Sequence, residues 1–214
     1  MTLPPGQHAV DGFPRFGTHL HHPPPAVPQA PAIEIVGGET NTRVPLTDLA
    51  ALERRELTAD FHCVAGWSAR GLRWEGVSFT DFHRVFIAPA PATHLVLVGL
   101  DGYAAGVRLE DVLADDVLLA DRLDGRPLDG DHGAPVRLVT PRQYGYVNVK
   151  HLRRIELRTS EPRLERSFVD RLLAAHPRAR VWEEERHRHV PGRALRLPYR
   201  MTIAPIRWLA ARRS

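Results

Sequence analysis

Every apolar stretch in this chain is short and soon meets a glycine, a proline or an Asp-Gly pair, which restricts the fold to many short strands with occasional short helices. Ile33-Glu34-Ile35-Val36 alternates as a half-buried strand does and runs into Gly37-Gly38. Thr58 to Ala65 is expected to be a buried strand closing at Gly66, and His94 to Val98 a short one before an Asp101-Gly102 turn. Val117 to Ala120, a turn at Asp124-Gly125, Val136 to Thr140 and Ile155 to Leu157 complete the strands. Thr47 is placed to cap a short helix through Leu52, and Ser78 or Thr80 one through Phe82 and Phe86. Leu109 to Ala114 gives another. Such a mixture predicts an α+β fold, not a regular alternation of long elements.

The two ends differ from this middle. Residues 1–31 are rich in proline and histidine, including His21-His22-Pro23-Pro24-Pro25, and are expected to lie as an extended arm over the domain. His19, His21 and His22 make a surface polar cluster a better reading than a metal site, because no second ligand group accompanies them. From Pro162 the texture changes. Leu164, Phe168, Leu172 and Leu173 fit one helical face, and the remainder is arginine-rich. We therefore divide the chain into a domain over 1–160 and a basic helical extension over 161–214 packed on it.

No apolar run approaches the roughly 20 residues needed to cross a bilayer, and no secretory or twin-arginine signal stands at the N-terminus. The expectation is a cytoplasmic protein. The net charge of +4 is distributed among acids, as in Glu183-Glu184-Glu185-Arg186-His187-Arg188, so that run is taken as a solvated face and nucleic acid is not an expected partner. A weak membrane-surface or partner contact by the basic tail is the alternative. Walker loops, GxGxxG, HExxH and paired CxxC are absent, and with them most hydrolase, kinase and dinucleotide chemistry.

Two residues stand alone of their kind. Cys63, in Phe61-His62-Cys63-Val64-Ala65-Gly66-Trp67-Ser68, is the one cysteine, and either a small buried hydrophobe or a thiolate with a function. Lys150 is the one lysine among many arginines, so either a compositional accident or a position that needs a compact ammonium.

The Cys-Val-x-x-Trp-Ser run resembles the molybdopterin-binding domain of the sulfite oxidase superfamily. So does the run His132-Gly133-Ala134-Pro135-Val136-Arg137, continued by Tyr144-Gly145-Tyr146 and Asn148-Val149-Lys150. The likeness covers roughly residues 13 to 158 and is nearest to the bacterial branch typified by the methionine-sulfoxide reductase catalytic subunit. It implies a sulfite-oxidase-type α+β fold and one molybdenum held by a pyranopterin, with Cys63 as the single protein ligand; a soft thiolate suits a sulfur-rich metal centre. It implies that His132 and Arg137 meet the pterin and its phosphate, and that Asn148, Val149 and Lys150 bind through backbone groups and the lysine. Arg15, Thr18 and His19 fall in the arm that covers the cofactor, although relatives often carry Arg-Asn-His where this chain has Gly17-Thr18-His19. Trp67 and Tyr103 are candidates to line the site.

The implied activity is two-electron oxygen-atom transfer on a small molecule. With no CxxCH or other haem-ligating pattern, electrons are expected to pass to a separate partner. Sulfite oxidases gather arginines at the metal. Here Gly17 and Ser68 take two of those places, and Asp121 replaces a common tyrosine. On that count a neutral or cationic substrate is expected in preference to a small oxyanion. A sulfite or other oxyanion oxidoreductase is the alternative enzyme. A basic module that binds nucleic acid or a membrane surface is the alternative without catalysis.

Overall fold

The computed structural model describes residues 2–15, 23–164 and 174–211. Two sheets with a few short helices make an α+β fold. The first sheet is organised on a long strand, β5 (Trp67–Ser78). One edge of β5 pairs with β4 (Arg54–His62), antiparallel. The other takes β1 (His8–Val10), parallel at Trp67–Ala69, and then β8 (Leu118–Leu123). β9 (Arg126–Pro127) folds back on β8 through the Asp124-Gly125 turn, where both residues have positive φ, and β10 (Arg137–Val139) extends the sheet. The second sheet runs β3 (Thr40–Pro45), β2 (Ala32–Gly37), β11 (Leu152–Arg158), β6 (His94–Gly99), β7 (Ala104–Arg108). The alternation of β2 puts Ile33 and Ile35 inward, against Leu95, Leu97 and Ile155 of the neighbouring strands.

α1 (Phe79–Phe86) begins at Ser78, whose hydroxyl accepts from the Asp81 N–H, and buries Phe79 and Phe82 in the same core. α2 (Leu109–Val112) is a single turn, and α3 (Arg196–Ala211) ends the described chain. Thr47 does not cap a helix. Leu46–Ala51 is a 3-10 segment entered through Pro45, with no side-chain cap. The Phe168–Leu173 helical face falls outside the described residues.

Three strands escape a reading by hydrophobic alternation. β5 buries both faces along much of its length and contains Gly71 and Gly76. β3 is mostly polar and exposed, and β7 is built on Ala104, Ala105 and Gly106. Their pairing partners, not their own pattern, make them strands. Two hydrophobic clusters result. The larger lies with the second sheet and α1. The smaller gathers Cys63, Trp67, Trp74, Leu118 and Val139.

Candidate active site

β4 ends at His62, and the chain reverses at once into β5. The Cys63 N–H donates to the Trp67 carbonyl at 2.9 Å, and the Gly66 N–H donates back to the Cys63 carbonyl at 3.0 Å. Gly66 sits at φ 100, which explains its place in the Cys-Val-Ala-Gly-Trp run. The arm locks this turn from outside. The His8 N–H donates to the Gly66 carbonyl at 3.0 Å, and Gln7 Nε2 donates to the Cys63 carbonyl at 3.1 Å. Ser68 donates to Gln7 Oε1 at 3.0 Å and lies 2.8 Å from His62 Nδ1. Cys63 is 7% exposed. Burial pushes its thiol up to about 12; the Ala65 N–H and the charges of Arg186 and Lys150 act in the opposite direction. A bound metal cation would reverse the balance outright.

A cationic cluster forms the second part. Arg137 lies fully buried on β10. Its guanidinium donates to the carbonyls of His132 at 2.9 Å and Asn148 at 3.1 Å, and its Cζ lies 5.1 Å from the Trp74 ring centre and 5.5 Å from that of Phe61. Burial depresses its pKa to about 9. Lys150 Nζ donates to the Asp131 carbonyl at 2.6 Å, and burial, then the charges of Arg137 and Arg15, depress its pKa to about 7. Arg15 pairs with Asp131 at 3.3 Å. His132 stacks on Phe13, donates from Nε2 to the Phe13 carbonyl at 2.9 Å and sets Nδ1 2.8 Å from Asp129. Asn148 spends its side chain on Thr140, and both backbone groups of Val149 are engaged within the chain. These two residues shape the turn that carries Lys150.

Thr18 and His19 lie outside the described residues. Tyr103 is tied to the Tyr146 carbonyl at 2.7 Å, and Trp67 packs in the Cys63 cluster. Asp121 does not add a carboxylate to the site, because it pairs with Arg54 at 2.6 Å. Ser68 is committed to Gln7 and His62, as above.

One residue was not expected. Arg186, in the run taken for a solvated face, has a side chain with 0% exposure. It donates to the Val64 carbonyl, next to Cys63, and its Cζ stands 5.0 Å over the Tyr144 ring. Its Nε and Nη2 have no hydrogen-bond partner among the described residues, although Glu184 lies 3.8 Å from Nη2. The alternation of acids and bases from Glu183 to Arg188 holds no cue that one guanidinium turns inward.

The residues fit a molybdopterin. Two cations, the buried Arg137 and the partly buried Lys150, have only neutral carbonyls as hydrogen-bond partners among the described residues, and a phosphate takes such a donor set. The lone thiol, whose ionised form the charges of Arg186 and Lys150 favour, is a soft metal ligand.

The family described as "Oxidoreductase molybdopterin binding domain" matches residues 21–165, more than half of the chain. The uncharacterized oxidoreductase YuiH of Bacillus subtilis strain 168 is 33% identical over 140 residues, 65% of this chain and 68% of that protein. The protein-methionine-sulfoxide reductase catalytic subunit MsrP of Xanthomonas axonopodis pv. citri is 27% identical over 88% of this chain and 67% of its own length. The mitochondrial sulfite oxidase of Drosophila melanogaster is 30% identical over 68% of this chain, which spans 30% of that protein. The crystal structure of sulfane dehydrogenase SoxCD from Paracoccus pantotrophus superposes with a TM-score of 0.53 at 23% identity, covering 62% of this chain and 38% of that one, and so shares the fold. With its cysteine turn, its buried cations and its two sheets, the chain belongs to the oxidoreductase molybdopterin-binding domain family, within the sulfite oxidase superfamily.

Proposed function

We propose that Cys63 is the protein ligand to a single molybdenum, that Arg137, Lys150 and His132 hold the pterin and its phosphate with Arg15 closing over them, and that the protein performs oxygen-atom transfer on a small substrate. The observation that carries this is the pair of cations, Arg137 buried and Lys150 partly buried, whose hydrogen bonds among the described residues go only to carbonyls. Such an arrangement costs desolvation energy until an anion joins it. When bound, the cofactor supplies a metal that exchanges one oxygen atom and two electrons with the substrate.

The chain's own residues do the rest. The Gln7, Trp67 and Gly66 hydrogen bonds hold the Cys63 turn rigid, so the sulfur is presented in one orientation. The cluster of Trp67, Trp74 and Leu118 keeps water away from it. Arg186 offers two N–H groups to the substrate oxygen. In the reducing direction the substrate gives up that oxygen, two electrons and two protons arrive, and water leaves; the electrons come from a separate partner.

A sulfoxide is the preferred substrate class, since its S–O dipole suits those donors. The oxyanion alternative gains support from Arg186, which restores a buried cation beside the cysteine that residues 17 and 68 do not supply. Molybdenum analysis of protein made in a cofactor-competent host tests the assignment. The parent should hold one metal per chain, and Cys63→Ser and Arg137→Met should hold far less. A Cys63→Ser protein as metal-rich as its parent would remove the basis of the proposal. Steady-state rates with a sulfoxide and with sulfite separate the two substrates.

A further inference from the structure

A cleft of about 350 Å³, with Cys63 not among its lining residues, opens between α2, the 140–143 segment and the 178–183 segment. Two of its lining residues carry buried acceptors with no partner among the described residues. Gln143 is 4% exposed, and its Nε2 donates to the Arg178 carbonyl at 2.6 Å. That bond fixes the amide orientation, because a carbonyl can only accept. Oε1 is then left without a partner among the described residues, and Oδ1 of Asp116 is in the same condition. A buried acceptor without a donor costs of the order of 1–3 kcal/mol.

The charges around these atoms select the ligand. Arg142 is held by Asp116 Oδ2 at 2.8 Å, and Arg178 by Asp111 at 2.6 Å. Arg180 is held by Glu185 at 2.6 Å. The cations of the cleft are therefore already paired, while Asp116 keeps one free lobe. Glu183, half-exposed and 3.6 Å from Arg180 Nη1, adds a carboxylate, and Trp182, 58% exposed, lines the same cleft. An aromatic face, a spare carboxylate lobe and an amide oxygen together accept a cation that carries several N–H groups.

We propose that this cleft is a binding site for a guanidinium-bearing ligand, separate from the cysteine site. The guanidinium's planar fork reaches two acceptors at once while its face lies against Trp182. A free small guanidine and an arginine side chain of another polypeptide present the same group.

Titration with ethylguanidinium, followed by calorimetry and by Trp182 fluorescence, tests this. Trp182→Phe assigns the optical signal, and N-ethylurea serves as the uncharged analogue. Saturable binding at least tenfold tighter than that of N-ethylurea is expected. It should weaken about tenfold in Gln143→Leu and in Asp116→Asn. The second variant guards against misfolding of the first, because the one partner of the Asp116 side chain among the described residues is an arginine that is 70% exposed; thermal unfolding checks both. Absence of saturation, equal affinity for N-ethylurea, or unchanged affinity in both variants would overturn the proposal. A blocked Gly-Arg-Gly peptide that binds tenfold tighter than ethylguanidinium points to a protein ligand, and equal affinity to a small molecule; either supports the site.

Discussion

Arg137 and Arg186 are both fully buried guanidiniums, and their partners distinguish their tasks. Arg137 is bound at three carbonyls beside aromatic rings, which suits the fixed anion that the proposed function assigns to it. Arg186 keeps two nitrogens, Nε and Nη2, without a partner among the described residues, which suits the substrate contact that the proposed function gives it. Arg186→Met is expected to lower kcat/KM by about 10²–10³, the usual cost of removing a donor aimed at developing charge, while molybdenum content stays at the parent level. Unchanged kinetics would reduce Arg186 to a brace for the Val64 carbonyl.

Lys150 yields a pH prediction. Its folded pKa is near 7, against 10.5 unperturbed. Below pH 7 both folded and unfolded chains hold the proton, and the folded one carries the full penalty of a buried charge. Between about 7 and 10.5 only the folded chain releases it, so stability of the cofactor-free protein rises with pH across that window. Lys150→Met should flatten the rise, measured by urea midpoints at several pH values. Cys63, Arg137 and Lys150 stand out in the sequence because their isolation or their motif gives each a chemical reason, and the structure brings Arg137 and Lys150 to one turn. Arg186 was hidden by the charged run around it.

At the scale of elements, what was legible followed from burial on one face. β2 alternates, and its strand was visible as Ile33 to Val36. β5 is the longest strand and passed unseen, because pairing on both edges and burial on both faces erase the period. Its Gly76 shows what the sheet demands there. A Cβ at that position would collide with the Leu119 carbonyl and approach Ala120 Cα to 2.7 Å, both on β8. Gly76→Ala is therefore expected to cost about 2–3 kcal/mol, seen as a lower urea midpoint with an unchanged slope. The same change at Gly71, where a Cβ meets nothing within 4 Å, costs only the strain of φ 63. Gly145 belongs with Gly76, since the Phe61 ring occupies the space its side chain would need. The Tyr-Gly-Tyr signature is thus a packing requirement beside the cysteine turn.

For the molecule as a whole, the segment after residue 173 is woven into the site. The Tyr144 N–H donates to Ala179 at 2.8 Å, the Val181 N–H to Arg142 at 3.0 Å, and Tyr146 Oη to the carbonyls of His176 and Glu185. Sequence texture marked a change at Pro162, but hydrogen bonds between backbones leave no trace in composition. α3 follows, with Arg196 on Glu184 at 2.5 Å and Ile203 in the cluster that holds Cys63. A cleft of about 330 Å³ separates its Arg196, Leu197 and Arg200 from Gln7, Ala65 and Gly66. Burial raises the Tyr199 pKa, the Arg186 charge lowers it, and the Cys63 charge adds a smaller upward push, which puts Tyr199 near the cysteine. α3 therefore packs, through Ile203, into the apolar cluster that holds the thiol. Removing residues 191–214 leaves the 174–190 backbone bonds and Arg186 in place, and readmits water to the cysteine turn. Each unit of pKa recovered raises the thiolate fraction about tenfold. Metal-free truncated protein should accordingly react with a disulfide reagent at pH 8 at least about tenfold faster than the full chain. Equal rates would place the shielding of Cys63 entirely within the two sheets and the arm, and would leave α3 without a part in the site.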